Sequence, residues 1–184
     1  MASVASFFVS RIDTLADQLL EELCTSAESD EVRARAEALE GRVAIANAKL
    51  AYQDYRSLVG SPRWARLAGM GAQPQRLLWA STSTKNPHYR DVMYVESLIG
   101  PETVDTMPPA TFDAFREHGR VRPTLEEDVE RARRTMAELA DLGISIDAIT
   151  DRLLEEGVRL FAEPFGKLLA TIEARRAAAT AAHP

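Results

Sequence analysis

The residues that most restrict how this chain can fold are 75–87, QRLLWASTSTKNP. Leu77, Leu78 and Trp79 form a short apolar run of the kind a buried strand needs. The hydroxylated residues Ser81, Thr82, Ser83 and Thr84 follow, and then Lys85. Pro87 closes the stretch because it has no N–H to give to a ladder. A buried strand that opens into hydroxyls and one cation is the plan of an anion site. Open α/β sheets and (β/α) barrels bind ligands at that C-terminal strand end. The same residues also suit a polar loop that merely leaves the core, and the stretch by itself leaves both open.

Two further runs repeat the theme. Residues 4–9, VASFFV, are compact, apolar and rich in aromatic and β-branched side chains, which predicts a buried strand starting almost at Met1. Ser6 lies inside that run and Ser10 and Arg11 just beyond it, so it too ends in hydroxyl plus cation. Arg11 taken alone is equally a surface residue pairing with Asp13 or Asp17. Residues 103–107, TVDTM, read as a third short strand.

Helical periodicity fills the intervals. Asp13 or Thr14 is expected to cap a first helix whose inner face is Leu15, Leu19, Leu20 and Leu23. From 30 to about 58, Val32, Ala36, Leu39, Val43, Ala46 and Leu50 recur alternately every four and three residues, predicting one long helix with Gly41 tolerated inside it. Lys49 on that helix reads as a solvated stem. Ser61-Pro62 caps a short helix, 92–99 forms another, and Pro108-Pro109 starts one that ends at Gly119. Thr124 is expected to cap an amphipathic helix with Leu125, Val129, Ala132, Met136 and Leu139 inward. Asp147 caps the last helix, with Ile149, Leu153, Leu160, Phe161, Phe165, Leu168 and Ile172 inward, and Pro164 should kink or split it. Strand and helix in alternation predict an α/β protein with a parallel sheet.

Composition removes several function classes. With 184 residues, 46% hydrophobic and 27% charged, the chain has enough material for one core. A net charge of -6 argues against a nucleic-acid partner. A single cysteine, Cys24, allows no disulfide framework and points to a reducing compartment. His88, His118 and His183 are scattered, which leaves a metal cluster or Cys–His nucleophile without support. Neither a signal peptide nor a membrane span is legible in MASVASFFVSR, so a cytoplasmic protein with no membrane partner is expected. No GxGxxG or GxxxxGK[ST] fingerprint occurs.

The runs ASVASFFVSRIDT, AIANAKLAYQDY, RLLWASTSTKNPHYRDVMYV and LIGPETVDTMPPAT resemble the transaldolase family, most closely its longer-chain bacterial form. The match follows the family's own order over nearly the whole chain. The resemblance implies an eight-stranded (β/α) barrel enzyme of the pentose phosphate pathway. Such an enzyme moves a dihydroxyacetone unit from a ketose phosphate (sedoheptulose 7-phosphate, fructose 6-phosphate) to an aldose phosphate (glyceraldehyde 3-phosphate, erythrose 4-phosphate). A lysine Schiff base carries the unit, with no metal or organic cofactor.

On this resemblance the three strands are the sixth to eighth of the barrel. The fold expected is α/β: the C-terminal part of a TIM-type (β/α)8 barrel with several long helices. Strand–helix units occupy 1–119, C-terminal helices 120–173 and a frayed tail 174–184, together a single incomplete domain. Ser6 resembles the family's sugar-contacting serine, Phe8 the aromatic two positions on, and Arg11 the phosphate-binding arginine. Ser83 and Lys85 match the serine and second phosphate cation after the next strand. Shorter-chain relatives carry arginine where Lys85 stands; lysine keeps the charge but loses the bidentate fork.

The family's Schiff-base lysine lies on the fourth strand and its acid/base aspartate on the first, so both are expected upstream of Met1. Lys49, Lys85 and Lys167 are the lysines present, and none fits that role. A barrel typically takes ~250 residues. The chain alone is therefore expected to be inactive. The alternative is a non-catalytic, stand-alone phosphate-binding or structural half-barrel, which could pair as a homodimer or with a separately encoded N-terminal half through its open strand edges. A helical interaction protein, using the faces of 30–58 and 125–142, is the third reading.

Overall fold

The structure, a computed structural model, describes residues 2–181 and divides into two compact units after Ile146. The first unit contains a three-stranded parallel sheet in the order β1 (Ser3–Phe8), β2 (Gln75–Ala80), β3 (Thr103–Asp105). Between and after the strands come α1 (Val9–Ser26), α2 (Asp30–Glu37), α3 (Val43–Val59), α4 (Pro62–Gly69), α5 (Met93–Ser97), α6 (Pro109–His118) and α7 (Val129–Asp141). This is an α/β fold, as the alternation of patterns predicts.

Register decides which side chains share a face. Phe7 pairs with Trp79 and Trp79 with Asp105, so these three lie on the side that receives the helices. Trp79 is 1% exposed there, meets the Phe7 ring edge-on and donates its indole N–H to the Leu98 carbonyl at 3.1 Å. Val4, Ser6 and Phe8 share the opposite face with Leu78 and Val104, and on β1 that face is exposed.

The structure departs from the sequence reading at several elements. No loop separates β1 from α1. Val9, expected at the end of the strand, opens the helix, and Phe8 holds the N-cap position without a side-chain bond. Asp13 therefore lies a full turn inside α1, not at its cap, and it is buried with Val9, Ile12, Ala16 and Leu20.

The helix expected over 30–58 is broken into α2 and α3. Gly41 sits in the break with φ +67, a left-handed conformation that costs other residues about 1–2 kcal/mol. Asp17, one turn beyond Asp13, accepts the Gly41 N–H at 2.9 Å, and Asp13 accepts the Ala44 N–H at 2.7 Å. Two carboxylates on one helix thus take the backbone donors that a continuous helix would have used, while the alternating four-and-three spacing runs on through the break. The Tyr89 ring fills the space where a Gly41 side chain would begin, with its Cζ 2.8 Å from that position. Gly41→Ala should lose at least about 1–2 kcal/mol from backbone strain, more if the ring is displaced. Urea unfolding checks this, and a variant as stable as the parent would refute it.

Lys49 is 8% exposed, not a solvated stem, because α3 packs against α7 and the turn before it. Its ammonium donates to the carbonyls of Thr124 and Glu127, both at 2.8 Å, and burial pulls its pKa down. With those carbonyls engaged and Asp128 left-handed at φ 56, α7 starts at Val129 and not after Thr124. Thr124 instead donates its hydroxyl to the Glu96 carbonyl.

The second unit is carried by α8 (Ile146–Ala181), which continues through Pro164 without a break. Of the residues expected to face inward there, Ile149 is buried and Leu153 half-buried, while Leu160, Phe161, Phe165, Leu168 and Ile172 are exposed along it. An exposed stretch of helix allows water to serve the carbonyl that Pro164 leaves unpaired. The helix also runs into the tail expected to fray; residues 182–184, with His183, lie outside the described residues. No described helix is long and apolar enough to cross a membrane.

Candidate functional site

Phe8 and Ala80 are register partners at the C-terminal ends of adjacent parallel strands, so whatever follows each strand emerges side by side. After β1 comes the first turn of α1 with Arg11. After β2 comes the loop 81–88 with Ser83 and Lys85. Ser81 turns the chain immediately, adopting φ 55, a conformation rare outside glycine. Its carbonyl accepts the N–H of Ser10 at 3.1 Å, which ties the loop to the start of α1.

The candidate residues fall into two groups. The Arg11 guanidinium carbon lies 4.6 Å from the centre of the Phe8 ring, a cation–π contact. Ser6 is exposed on the same sheet face as Phe8. In the second group the Lys85 ammonium donates to the Ser83 hydroxyl at 3.0 Å. Among the described residues neither Arg11 nor Lys85 forms an ion pair with a carboxylate, and no hydrogen bond joins the two groups. The cavity that Lys85 borders does not include Arg11 in its lining.

The loop is also held from the β3 side. Thr82 is fully buried, and its hydroxyl lies 3.1 Å from an oxygen of Asp105 and 3.0 Å from the Thr106 carbonyl. Burial pushes the Asp105 carboxyl up to about 6, with the Thr82 bond opposing. Since Asp105 shares the face of Trp79, it anchors the loop from the helix side of the sheet and not from the Ser6 side.

Sequence reading missed a further cluster beneath the loop. Tyr94 donates its hydroxyl to Asp13 at 2.8 Å, and Tyr89 donates to Asp17 at 2.7 Å. Burial pushes Asp13 up to about 7 and raises Asp17 as well, against the pull of their backbone donors. Burial, with the carboxylates nearby, drives both tyrosine hydroxyls far upward, so they stay protonated donors. A cavity of about 230 Å³ borders on Lys85, Asn86 and Tyr89 from the loop and Asp13, Asp17 and Glu21 from α1. One signal was available: Asp13 and Asp17 fall within the apolar stripe of α1, where an unpartnered carboxylate is costly. No group of three or more His, Cys, Asp or Glu among the described residues is placed to hold a metal ion.

Parallel strands alternating with helices, two of them (β1 and β2) leading directly into polar, cation-bearing segments, define an α/β chain of strand–helix units with its candidate site at the C-terminal ends of β1 and β2. Residues 1–172 match the family described as Transaldolase/Fructose-6-phosphate aldolase, and the chain belongs to that family. It is similar to the transaldolase of Trichodesmium erythraeum (49% identical over 175 residues, 94% of this chain and 46% of that protein). The transaldolase 2 of Nostoc punctiforme is 48% identical over 176 residues, again 94% and 46%. The transaldolase of a Parafrankia species is 49% identical over 173 residues, 94% and 45%. The chain thus spans about half the length of the curated relatives it matches.

Proposed function

We propose that these residues form the phosphate-binding side of a transaldolase, the C-terminal part of its (β/α)8 barrel with β1, β2 and β3 as the sixth to eighth strands. The observation that carries this reading is the adjacency of two strand ends, one bearing Arg11 and the other Ser83 and Lys85, with neither cation in an ion pair among the described residues. Arg11 and Lys85 hold the phosphate of a sugar phosphate, Ser83 adds a hydroxyl, and Ser6 and Phe8 contact the sugar. The substrates are ketose and aldose phosphates of the pentose phosphate pathway in the cytoplasm, handled without a metal or organic cofactor.

The lysine nucleophile comes from a segment outside these 184 residues. Lys49 is engaged with two backbone carbonyls, Lys85 sits in the phosphate loop, and Lys167 lies on α8. Incubation with fructose 6-phosphate and borohydride, followed by intact-mass analysis, should therefore leave the mass unchanged; a covalent adduct would overturn this. Calorimetric titration with inorganic phosphate tests the site itself. Arg11→Ala and Lys85→Ala should each weaken binding about tenfold, the scale of one charge-assisted contact. Binding that ignores both substitutions would refute the reading.

The unpaired outer edges of β1 and β3 favour a second reading, in which a stand-alone half-barrel pairs with a second copy or with an N-terminal half. Sedimentation would separate these, since a soluble monomer across micromolar concentrations counts against self-pairing.

A further inference from the structure

We infer that Tyr89 and Asp17 are positioning residues for the anion site, strapping the Lys85 loop to the helix that carries Arg11; this rests on the phosphate reading above. Two cations bind one anion well only if their separation is held, since otherwise the ordering cost is met on binding. Arg11 is placed by the first turn of an eighteen-residue helix. Lys85 is exposed, on a loop outside regular structure, and something must fix that loop relative to α1.

The hydrogen bonds supply the fixing at both ends. At the start of the loop, the Ser10 N–H holds the Ser81 carbonyl at 3.1 Å. At its end, the Tyr89 hydroxyl holds Asp17 at 2.7 Å. Both anchors lie on α1, on either side of Asp13, so the loop is spanned against the same helix that presents Arg11. Within the span, Asn86 closes a local turn by accepting the His88 N–H at 2.9 Å through its side chain and the Tyr89 N–H at 3.2 Å through its carbonyl. A movement of Tyr89 is therefore transmitted to a residue adjacent to Lys85.

Asp17 is in turn held by the Gly41 N–H, and the Tyr89 ring rests on Gly41. The strap has two fixed supports behind it, the helix α1 and the α2–α3 break.

Tyr94 provides an internal control. Its hydroxyl makes an equivalent bond to Asp13 at 2.8 Å, but from α5, beyond the loop. If the tyrosines merely stabilise the fold, removal of either hydroxyl should act alike.

The experiment compares Tyr89→Phe and Tyr94→Phe in the full chain. Hydrogen exchange read by mass spectrometry over residues 82–88 comes first. Tyr89→Phe should speed exchange there about tenfold, as expected for losing one hydrogen bond to a charged group, and Tyr94→Phe should leave it near the parent rate. Titration with inorganic phosphate should show affinity falling about fivefold to tenfold in Tyr89→Phe and unchanged in Tyr94→Phe. Equal exchange in both variants, or phosphate binding unaffected by Tyr89→Phe while Arg11→Ala weakens it, overturns the strap. If Arg11→Ala and Lys85→Ala leave phosphate binding intact, the anion reading fails instead, and the exchange result still decides whether Tyr89 holds the loop.

Discussion

Replacing Trp79 with alanine should lower the stability of the first unit by about 3–5 kcal/mol, the range for truncating a buried aromatic. Trp79 is 1% exposed on the central strand, packs edge-on against Phe7 and serves the Leu98 carbonyl. Alanine would leave a cavity and strand that buried carbonyl together. Whole domains are stable by only about 5–15 kcal/mol, so much of the folded population is at stake. Trp79→Phe keeps most of the apolar area and loses the indole bond, so its cost should fall well below that of alanine. Urea unfolding of the variants decides the matter; an alanine variant within about 1 kcal/mol of the parent would contradict a core built around this residue. The consequence reaches the site, because the strand that Trp79 anchors leads directly into the Ser83–Lys85 loop.

A pH-dependent loss of stability is the second large effect. Asp13 is raised from 3.8 to about 7, chiefly by burial. The groups facing it are the Ala44 N–H from α3, the Tyr94 hydroxyl from α5 and the Asp17 carboxyl on its own helix. The folded state therefore keeps a proton that the unfolded chain has given up between those two values. Its stability contribution is complete below about pH 4 and declines as the pH rises through 7. At roughly 1.4 kcal/mol per unit, the loss between pH 5 and 8 comes to about 2–4 kcal/mol.

Asp13→Asn removes the titration while keeping an acceptor for the Ala44 N–H and a polar partner for Tyr94. The stability of Asp13→Asn relative to the parent should thus grow by about that amount from pH 5 to pH 8. Parallel stability curves for the two proteins would refute it. Asp17 lies close enough to shift with Asp13, so the midpoint observed belongs to the pair.

Much of the architecture was legible in the residues. Short apolar runs, caps and helical spacing place β1, β2 and β3, the helices α4, α5 and α6 and the start of α8 within a residue or two, since burying an apolar face is a local demand repeated along each element. The cap at Ser61, whose hydroxyl accepts the Trp64 N–H, and the start of α6 at Pro109 follow equally from local chemistry. The four runs from 2–14 to 98–111 carry the family resemblance; three of them contain β1, β2 and β3 with the segments that follow, and 44–55 lies within α3. Arg11, Ser83 and Lys85 could be singled out because hydroxyls and cations just past an apolar run stand out without any knowledge of the fold, whereas Ser6, inside its run, was singled out by the resemblance.

What the sequence could not express were interactions between distant segments. Gly41 reads as a helix interior because its neighbours keep the spacing, and only Asp13, Asp17 and Tyr89, brought there by packing, break the helix. Lys49 reads as solvated because nothing nearby in sequence says that the carbonyls of Thr124 and Glu127 will arrive at its ammonium. The late start of α7 follows from that same contact. Apolar runs, periodicity and caps determined most of the elements, and the resemblance of four runs carried the family. Tertiary structure alone decided where backbone donors and acceptors found partners, because a buried polar group is satisfied by whatever the fold brings within about 3 Å.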